Sequence, residues 1–218
     1  MGEVIAIDGP SGAGKSTIAK MLAERLGFVY LDTGALYRAT ALFFLLRKIT
    51  PEDPEPVLAE ALKSAEVLFE RGKVFLNGKD VSADIRTPEV GHYSSVFSAR
   101  KVVRDFLLDV QRKAALGNDL VVEGRDTTTI IFPDATIKFY IDASVAERAK
   151  RRFLQLKEMG MVVTPEKAER DVADRDKRDQ DRDIAPLTKA KDAIIIDTTN
   201  RSIEQVFETI LRMVKSDP

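Results

Sequence analysis

Short unbroken apolar runs and longer amphipathic ones alternate along this chain of 218 residues. Val4-Ile5-Ala6-Ile7 carries no polar interruption and reads as a strand buried on both faces. After a glycine-rich turn, Thr17 to Leu26 places Ile18, Met21, Leu22 and Leu26 on one helical face, with Gly27 as the stop. Phe28-Val29-Tyr30-Leu31 repeats the strand pattern, and Ala35 to Leu46 repeats the helical one. Leu120 to Glu123, Thr136 to Ile141 and Ala193 to Asp197 supply three further strands, and Ile203 to Val214 closes the chain as an amphipathic helix. Strands that alternate with helices predict a doubly wound parallel α/β sheet, whose ligands sit at the carboxyl ends of the strands.

The period changes in the middle. Thr50 to Pro56 is proline- and acid-rich and reads as a connection, and Pro56 to Ala65 is helical in pattern. Val67-Leu68-Phe69, Lys73 to Leu76 and Asp80-Val81-Ser82 are strand-like pieces separated by Arg71-Gly72 and Asn77-Gly78. Asn-Gly between alternating residues is a strong hairpin signal, so a small antiparallel insertion is expected here. Asn77-Gly78-Lys79-Asp80 shares only composition with a guanine-reading N-K-x-D and belongs to the turn. Thr87 then reads as a helix N-cap with Pro88 at the first position. A long helix through Val102, Phe106, Leu107 and Val110 follows.

Composition narrows the class. Acidic and basic residues number 35 and 34, so no whole-protein field draws the chain to nucleic acid or to a membrane. There is no cysteine, hence no disulfide, thiolate metal site or thiol nucleophile, and the lone His92 cannot build a histidine metal site. His92 has no acid or serine at triad spacing and reads as structural or solvent-facing. No apolar run approaches a membrane span of roughly 18 residues, and the first residues lead into a strand rather than a signal peptide. Ala6 stands where a myristoylation signal wants Ser or Thr. A cytoplasmic enzyme is expected.

The turn after the first strand carries the chemistry. Gly9-Pro10-Ser11-Gly12-Ala13-Gly14-Lys15-Ser16 fits G-x-x-x-x-G-K-[ST] between a strand and a helix start, and Thr17 continues it. Backbone N–H groups there converge on a phosphate at the positive end of a helix dipole. Lys15 would add a point charge at the β- and γ-phosphates, and Ser16 a hydroxyl for Mg²⁺. A nucleoside triphosphate is the expected ligand. Leu120-Val121-Val122-Glu123 ends in Gly124-Arg125-Asp126, placing an acid where phosphate-loop proteins hold Mg²⁺, directly or through water. Arg38 lies one helical turn beyond Thr33-Gly34, so both could face one ligand.

Residues 144 to 183 are densely charged. Arg148, Arg151 and Arg152 sit on a helix ending near Gly160. A second helix from Pro165 carries Arg175, Arg178 and Arg182 at i, i+3 and i+7, on one face. A solvated helix with pairs such as Asp174–Arg178 and Asp171–Arg175 is one reading. The other is a set of cations for a transferred phosphoryl group, closing over two nucleotides and excluding water.

Taken together and in order, Gly9 to Ser16, Leu31-Asp-Thr-Gly-Ala-Leu-Tyr-Arg38, Ile85-Arg-Thr-Pro-Glu-Val90, Glu123-Gly-Arg-Asp126 with Phe132-Pro-Asp-Ala135, and Arg175 through Arg182 to Ala185-Pro186 resemble the bacterial cytidylate kinases. The resemblance runs from about residue 3 to 210. It implies a P-loop kinase core with strand order 2-3-1-4-5, divided as core 1–49, 100–143 and 184–218, a CMP-binding part with the β insertion at 50–99, and an arginine-rich helical lid at 144–183. It implies transfer of the γ-phosphoryl group of ATP to CMP or dCMP with Mg²⁺, in a monomer that binds neither nucleic acid nor membrane.

Position by position, the resemblance puts Thr33, Ser95 and Arg104 near the cytosine and Asp126 at its amino group. It puts Arg38 and Arg125 on the acceptor phosphate, Arg175 and Asp179 on the ribose side, and Arg178 and Arg182 toward the phosphates. A carboxylate suits cytosine, whose N4 amino group donates where uracil has a carbonyl. Thr128 stands where the family commonly has glycine, so strain is expected there if the position needs positive φ. Same-fold kinases of UMP, AMP or another small acceptor are the nearest rivals. A P-loop switch or a nucleic-acid kinase fits less well.

Overall fold

A computed structural model describes residues 2–70 and 72–216. Its central sheet has five parallel strands: β1 Val4–Asp8, β2 Val29–Asp32, β6 Leu120–Glu123, β7 Ile137–Asp142 and β8 Ile194–Asp197. Their spatial order is β2-β6-β1-β7-β8, which is core strands 2-3-1-4-5 as expected. β1 lies at the centre, with Ile5 opposite both Val121 of β6 and Ile137 of β7.

Helices cover both faces because successive strand residues alternate sides. Val4, Ala6, Leu120 and Val122 enter one core, with Leu36, Phe43 and Phe44 of α2 (Thr33–Leu46), Phe97 of α4 (Pro88–Phe97) and Leu107 of α5 (Lys101–Lys113). Ile5, Ile7, Val121 and Phe139 enter the other, with Ile18 and Leu22 of α1 (Lys15–Leu26) and Phe207 and Ile210 of α8 (Ile203–Ser216). Strands buried on both faces leave no polar alternation, which is why these read as solid apolar runs.

The insertion is a separate antiparallel sheet, β3 Val67–Glu70, β4 Lys73–Leu76 and β5 Lys79–Asp80. Asn77 and Gly78 have φ of 49° and 77° and join Leu76 to its partner Lys79, a two-residue turn with both central residues left-handed. Arg71, expected in the first turn, lies outside the described residues. Val67, Val74 and Leu76 reach the α2 core, so the insertion is packed rather than appended. α3 (Glu55–Leu62) precedes it. Thr87 caps α4 as expected, its hydroxyl accepting from Val90 N, with Pro88 in the first turn.

Two charged helices, α6 Val145–Glu158 and α7 Pro165–Asp181, join β7 to the segment leading into β8. Each is capped by a hydroxyl, Ser144 to Glu147 N and Thr164 to Lys167 N. No described helix is long and apolar enough to cross a membrane.

Candidate functional site

The five strands end on one cleft of about 700 Å³, lined by the glycine loop at one end and by residues of α2, α4, α7 and the loop after β6 at the other. Glycine is needed where the loop leaves β1. Gly9 has φ 146°, and a Cβ on it would lie 1.9 Å from Ile141 O. Gly14, at φ 96°, is the N-cap residue of α1 and offers no side chain to cap it, so the first N–H groups of that helix are left for a ligand. Ser11 through Thr17 all line the cleft. Lys15 is buried and donates from Nζ to Pro10 O at 2.8 Å. Burial, with the nearby Arg125 guanidinium, brings its ammonium down from the ordinary 10.5 to about 7.

β2 and β6 bring the next set together. Asp32 caps α2 by accepting from Ala35 N at 2.9 Å, and its other oxygen lies 3.8 Å from Arg38 Nη2 and 3.9 Å from Arg86 Nη2. Thr33 Oγ1 donates to Glu123 O at 2.7 Å. Tyr30 O–H donates to Glu123 Oε1 at 2.9 Å. Burial and the Glu123 and Asp32 charges push the Tyr30 phenol far up, so it stays a donor. Glu123, at the end of β6, and Ser16, in the phosphate loop, both line the cleft. No group of three or more acids or histidines able to hold a metal exists among the described residues. A metal here would complete its shell with nucleotide phosphates and water, the usual habit of Mg²⁺.

The far end is built from side chains. Arg125 Nε donates to Asp179 Oδ2 at 2.9 Å, and Arg175 Nε stands 3.9 Å from the same oxygen. Arg104 donates from Nη1 to Ser98 O at 3.0 Å and from Nη2 to Asp126 Oδ2. Arg182 Nη2 lies 3.8 Å from Asp126 Oδ1, and Arg178 Nε donates to Ser95 Oγ at 3.3 Å. Burial pushes the Asp126 carboxyl above the usual carboxylate range, against the pull of Arg104 and Arg182. Burial opposes the charge on both members of the Arg125–Asp179 pair. The attraction nevertheless wins, raising Arg125 and lowering Asp179. Arg175 has no such partner at hydrogen-bond distance; burial and the Arg125 charge bring it down to about 10.

Among the described residues, three buried arginine nitrogens make no hydrogen bond: Arg38 Nε, Arg175 Nε and Arg182 Nη2. Unsatisfied buried donors are costly, and all three belong to residues lining the cleft. An anion would suit Arg38 and Arg175, whereas Arg182 Nη2 faces Asp126.

Of the residues singled out in the sequence, Ser11 to Thr17, Thr33, Arg38, Ser95, Glu123, Arg125, Asp126, Arg175, Asp179 and Arg182 share the cleft. Arg151 and Arg152 line it too, whereas Gly9, Pro10, Arg104 and Arg178 do not. The side chains of Arg178 and Arg182, which the resemblance puts toward the phosphates, meet Ser95 in the case of Arg178 and Ser98, Ala185 and Asp126 in the case of Arg182. α7 stops at Asp181 and Arg182 is already extended (φ −66°, ψ 138°), so the helical face that carries Arg175 and Arg178 does not continue through it. Thr128 is unstrained. Positive φ outside glycine is confined, among the described residues, to Lys48, Asn77, Ala185 and Asn200. Arg175 and Arg178 turn toward Asp179 and Ser95, so the solvated-helix pairing with Asp171 and Asp174 does not describe α7. His92 is exposed and stacks edge-on against Tyr93.

Sequence reasoning gave no role to Asp8, Asp32 or Arg86 and named Arg148 only as one cation of a charged tract. Asp8 could have been noticed as an acid closing an apolar strand. Arg148 Nη1 donates to Ser11 O at 3.2 Å and pairs with the buried Asp176, tying α6 and α7 to the phosphate loop. Nothing in a charge-rich tract marks that arginine from its neighbours.

The family model for cytidylate kinase matches residues 5–216. The chain is 50% identical to a cytidylate kinase of Thermodesulfovibrio yellowstonii, covering all of both proteins. It is 48% identical to that of Thermosipho melanesiensis, over 97% of this chain and 96% of that protein. Among solved structures, an uncharacterized protein of Eubacterium ventriosum matches with a TM-score of 0.56 at 16% identity, over 99% of both chains. A shikimate kinase of Bacteroides thetaiotaomicron matches at 0.50 and 11%, over 98% and 97% of the two chains, and shares the fold. With a glycine loop at one end of its cleft, a ring of arginines and carboxylates at the other, and this likeness along its whole length, the chain belongs to the cytidylate kinase family.

Proposed function

We propose that the chain transfers the γ-phosphoryl group of ATP to CMP or dCMP, giving ADP and CDP or dCDP. The observation that carries this reading is the single cleft joining the phosphate loop to Asp126, with unsatisfied buried arginine nitrogens along it. An acceptor phosphate oxygen, already anionic near neutral pH, attacks the γ-phosphorus in line. The bond from that phosphorus to the β–γ bridging oxygen breaks, and ADP carries away the electron pair. No protein nucleophile is needed, so positioning and charge carry the rate.

In this reading the loop from Gly9 to Thr17 and Lys15 hold the triphosphate. Arg38 and Arg125 hold the acceptor phosphate, with Arg175 and Asp179 on the ribose side. Asp126, held by Arg104 and Arg182, accepts from the cytosine amino group, with Thr33 and Ser95 beside the base. Ser16, and Glu123 through water, would hold Mg²⁺, which would supply positive charge against the charge that develops on the phosphates. Residues 144–183 act as a lid on a monomer. Solution scattering of the free and doubly liganded protein checks this: the radius of gyration should shrink with both nucleotides at unchanged mass.

The decisive experiment is ADP release from ATP and Mg²⁺ with CMP, dCMP, UMP, AMP and GMP, for the wild type and Asp126→Ala. Fast turnover of CMP and dCMP that loses its edge over UMP in the variant is expected. A wild-type preference for UMP or AMP would overturn the substrate assignment, and ATP turnover indifferent to every monophosphate would overturn the kinase reading.

A further inference from the structure

Asp8 is wholly buried at the end of β1, one residue before the phosphate loop. A buried carboxylate is expensive unless both oxygens are satisfied, and here each takes two hydrogen bonds. Oδ1 accepts from Thr127 N at 2.9 Å and Thr127 Oγ1 at 2.7 Å. Oδ2 accepts from Thr128 N at 2.8 Å and Thr128 Oγ1 at 2.6 Å. Both threonines are buried, so water does not compete. The four donors belong to the two residues directly after Asp126. They hold the start of a tight π turn, Thr127–Ile131, in which Ile130 N and Ile131 N both donate to Asp126 O at 2.9 and 3.1 Å. A glycine at position 128 would supply only the backbone half of the second arm.

We propose that Asp8 and the hydroxyls of Thr127 and Thr128 form a positioning clamp that aims Asp126 at the acceptor base. The anchor is rigid, since β1 is the central strand, hydrogen-bonded on both sides by β6 and β7. Asp126 itself is held from the other side by Arg104 and Arg182, which come from α5 and the end of α7. The clamp fixes the backbone, and the arginines fix the carboxylate. A carboxylate that discriminates between an amino group and a carbonyl must sit within hydrogen-bond tolerance of one position, and a small shift in its backbone erodes that discrimination. The same strand end launches the phosphate loop, so the base-reading loop and the triphosphate loop share one anchor. None of the clamp residues lines the cleft.

The inference rests on the base-reading role assigned to Asp126, and its test separates the two. Steady-state kinetics on the full chain with CMP, UMP and ATP, together with melting temperatures, would compare Thr128→Val, Thr128→Ser and Asp126→Ala. Thr128→Val removes one hydroxyl at nearly constant shape. It should raise KM for CMP and lower the CMP-over-UMP ratio of kcat/KM roughly tenfold, about what losing one well-placed hydrogen bond costs. KM for ATP should stay within about twofold, and Thr128→Ser should restore selectivity. Thr127→Val, which cuts the other arm, serves the same purpose should Thr128→Val misfold. A selectivity ratio unchanged in the valine variants while Asp126→Ala loses it would overturn the clamp alone. Equal rises in KM for CMP and ATP with a lowered melting temperature would also overturn it, leaving only a structural role. Selectivity retained in Asp126→Ala would overturn the base-reading role and the clamp with it.

Discussion

On the proposed function, the two ends of the cleft would recognise their ligands by different means. At the triphosphate end the donors would be backbone N–H groups of one contiguous loop, helped by one buried lysine whose hydrogen bond goes to its own loop, at Pro10 O. At the acceptor end the groups are side chains from α2, α4, α5, α7 and the β6 loop, paired with each other as Arg104–Asp126 and Arg125–Asp179. Backbone amides survive every substitution except proline and do not titrate. Side-chain pairs can be re-aimed one residue at a time. Phosphate is common to every nucleotide, so a fixed backbone cradle suits it, whereas the choice among bases needs groups that evolution can alter singly.

Lys15→Met tests the triphosphate end most severely. Removing this charge should lower kcat by about 10³-fold, roughly 4 kcal/mol of transition-state stabilisation. The variant should nevertheless melt higher than the wild type near pH 7. The Lys15 ammonium is held down at about 7 against an ordinary 10.5, so its charged form costs the ligand-free fold stability. That cost is fully present below pH 7 and fades as pH rises toward 10.5, so the gain in melting temperature should shrink over the same window. A variant that melts lower at pH 7 would show that Lys15 supports the fold.

Arg148→Ala probes the bolt between the ends, since this arginine holds both Ser11 O and Asp176. Leaving Asp176 buried and unpaired should destabilise the protein by about 3 to 5 kcal/mol in denaturant unfolding. Arg148→Met with Asp176→Leu should recover much of that stability without recovering the hydrogen bond to the loop. If the single and double variants are equally stable, the pair contributes nothing to the junction.

The pH dependence should separate the ends again. In the free protein kcat/KM for ATP should fall about tenfold per unit as pH rises above about 7, as Lys15 loses its proton. Arg175, at about 10, should keep its charge through that range, so kcat/KM for CMP at saturating ATP should stay flatter. Parallel profiles for the two substrates would contradict the division. The smallest expected effect is at Tyr30→Phe. Losing the 2.9 Å bond to Glu123 should cost about 1 kcal/mol and raise the Mg²⁺ concentration needed for nucleotide binding, read by calorimetry.

The same contrast explains what could be read without coordinates. The five strands, the Asn77-Gly78 turn, the Thr87 cap and the whole loop from Gly9 to Thr17 are local matters, each decided by a few neighbouring residues and their backbone geometry. The family resemblance supplied the acceptor-end residue set. It did not supply the partners within that set, which lie tens of residues apart: Arg104 with Asp126, Arg125 with Asp179, Tyr30 with Glu123. Nor did it show that α7 ends at Asp181, one residue before Arg182. Position 128 does not take positive φ, so threonine is unstrained there, and a distant carboxylate, Asp8, accepts both its N–H and its hydroxyl.

The sequence by itself therefore determined the alternation of strands and helices, the phosphate cradle and the family. Periodicity and a glycine pattern act through the backbone, within a turn or two of chain. Only the tertiary structure decided which charges meet, because a buried carboxylate must find its donors wherever the packed elements bring them, and sequence distance does not enter that requirement.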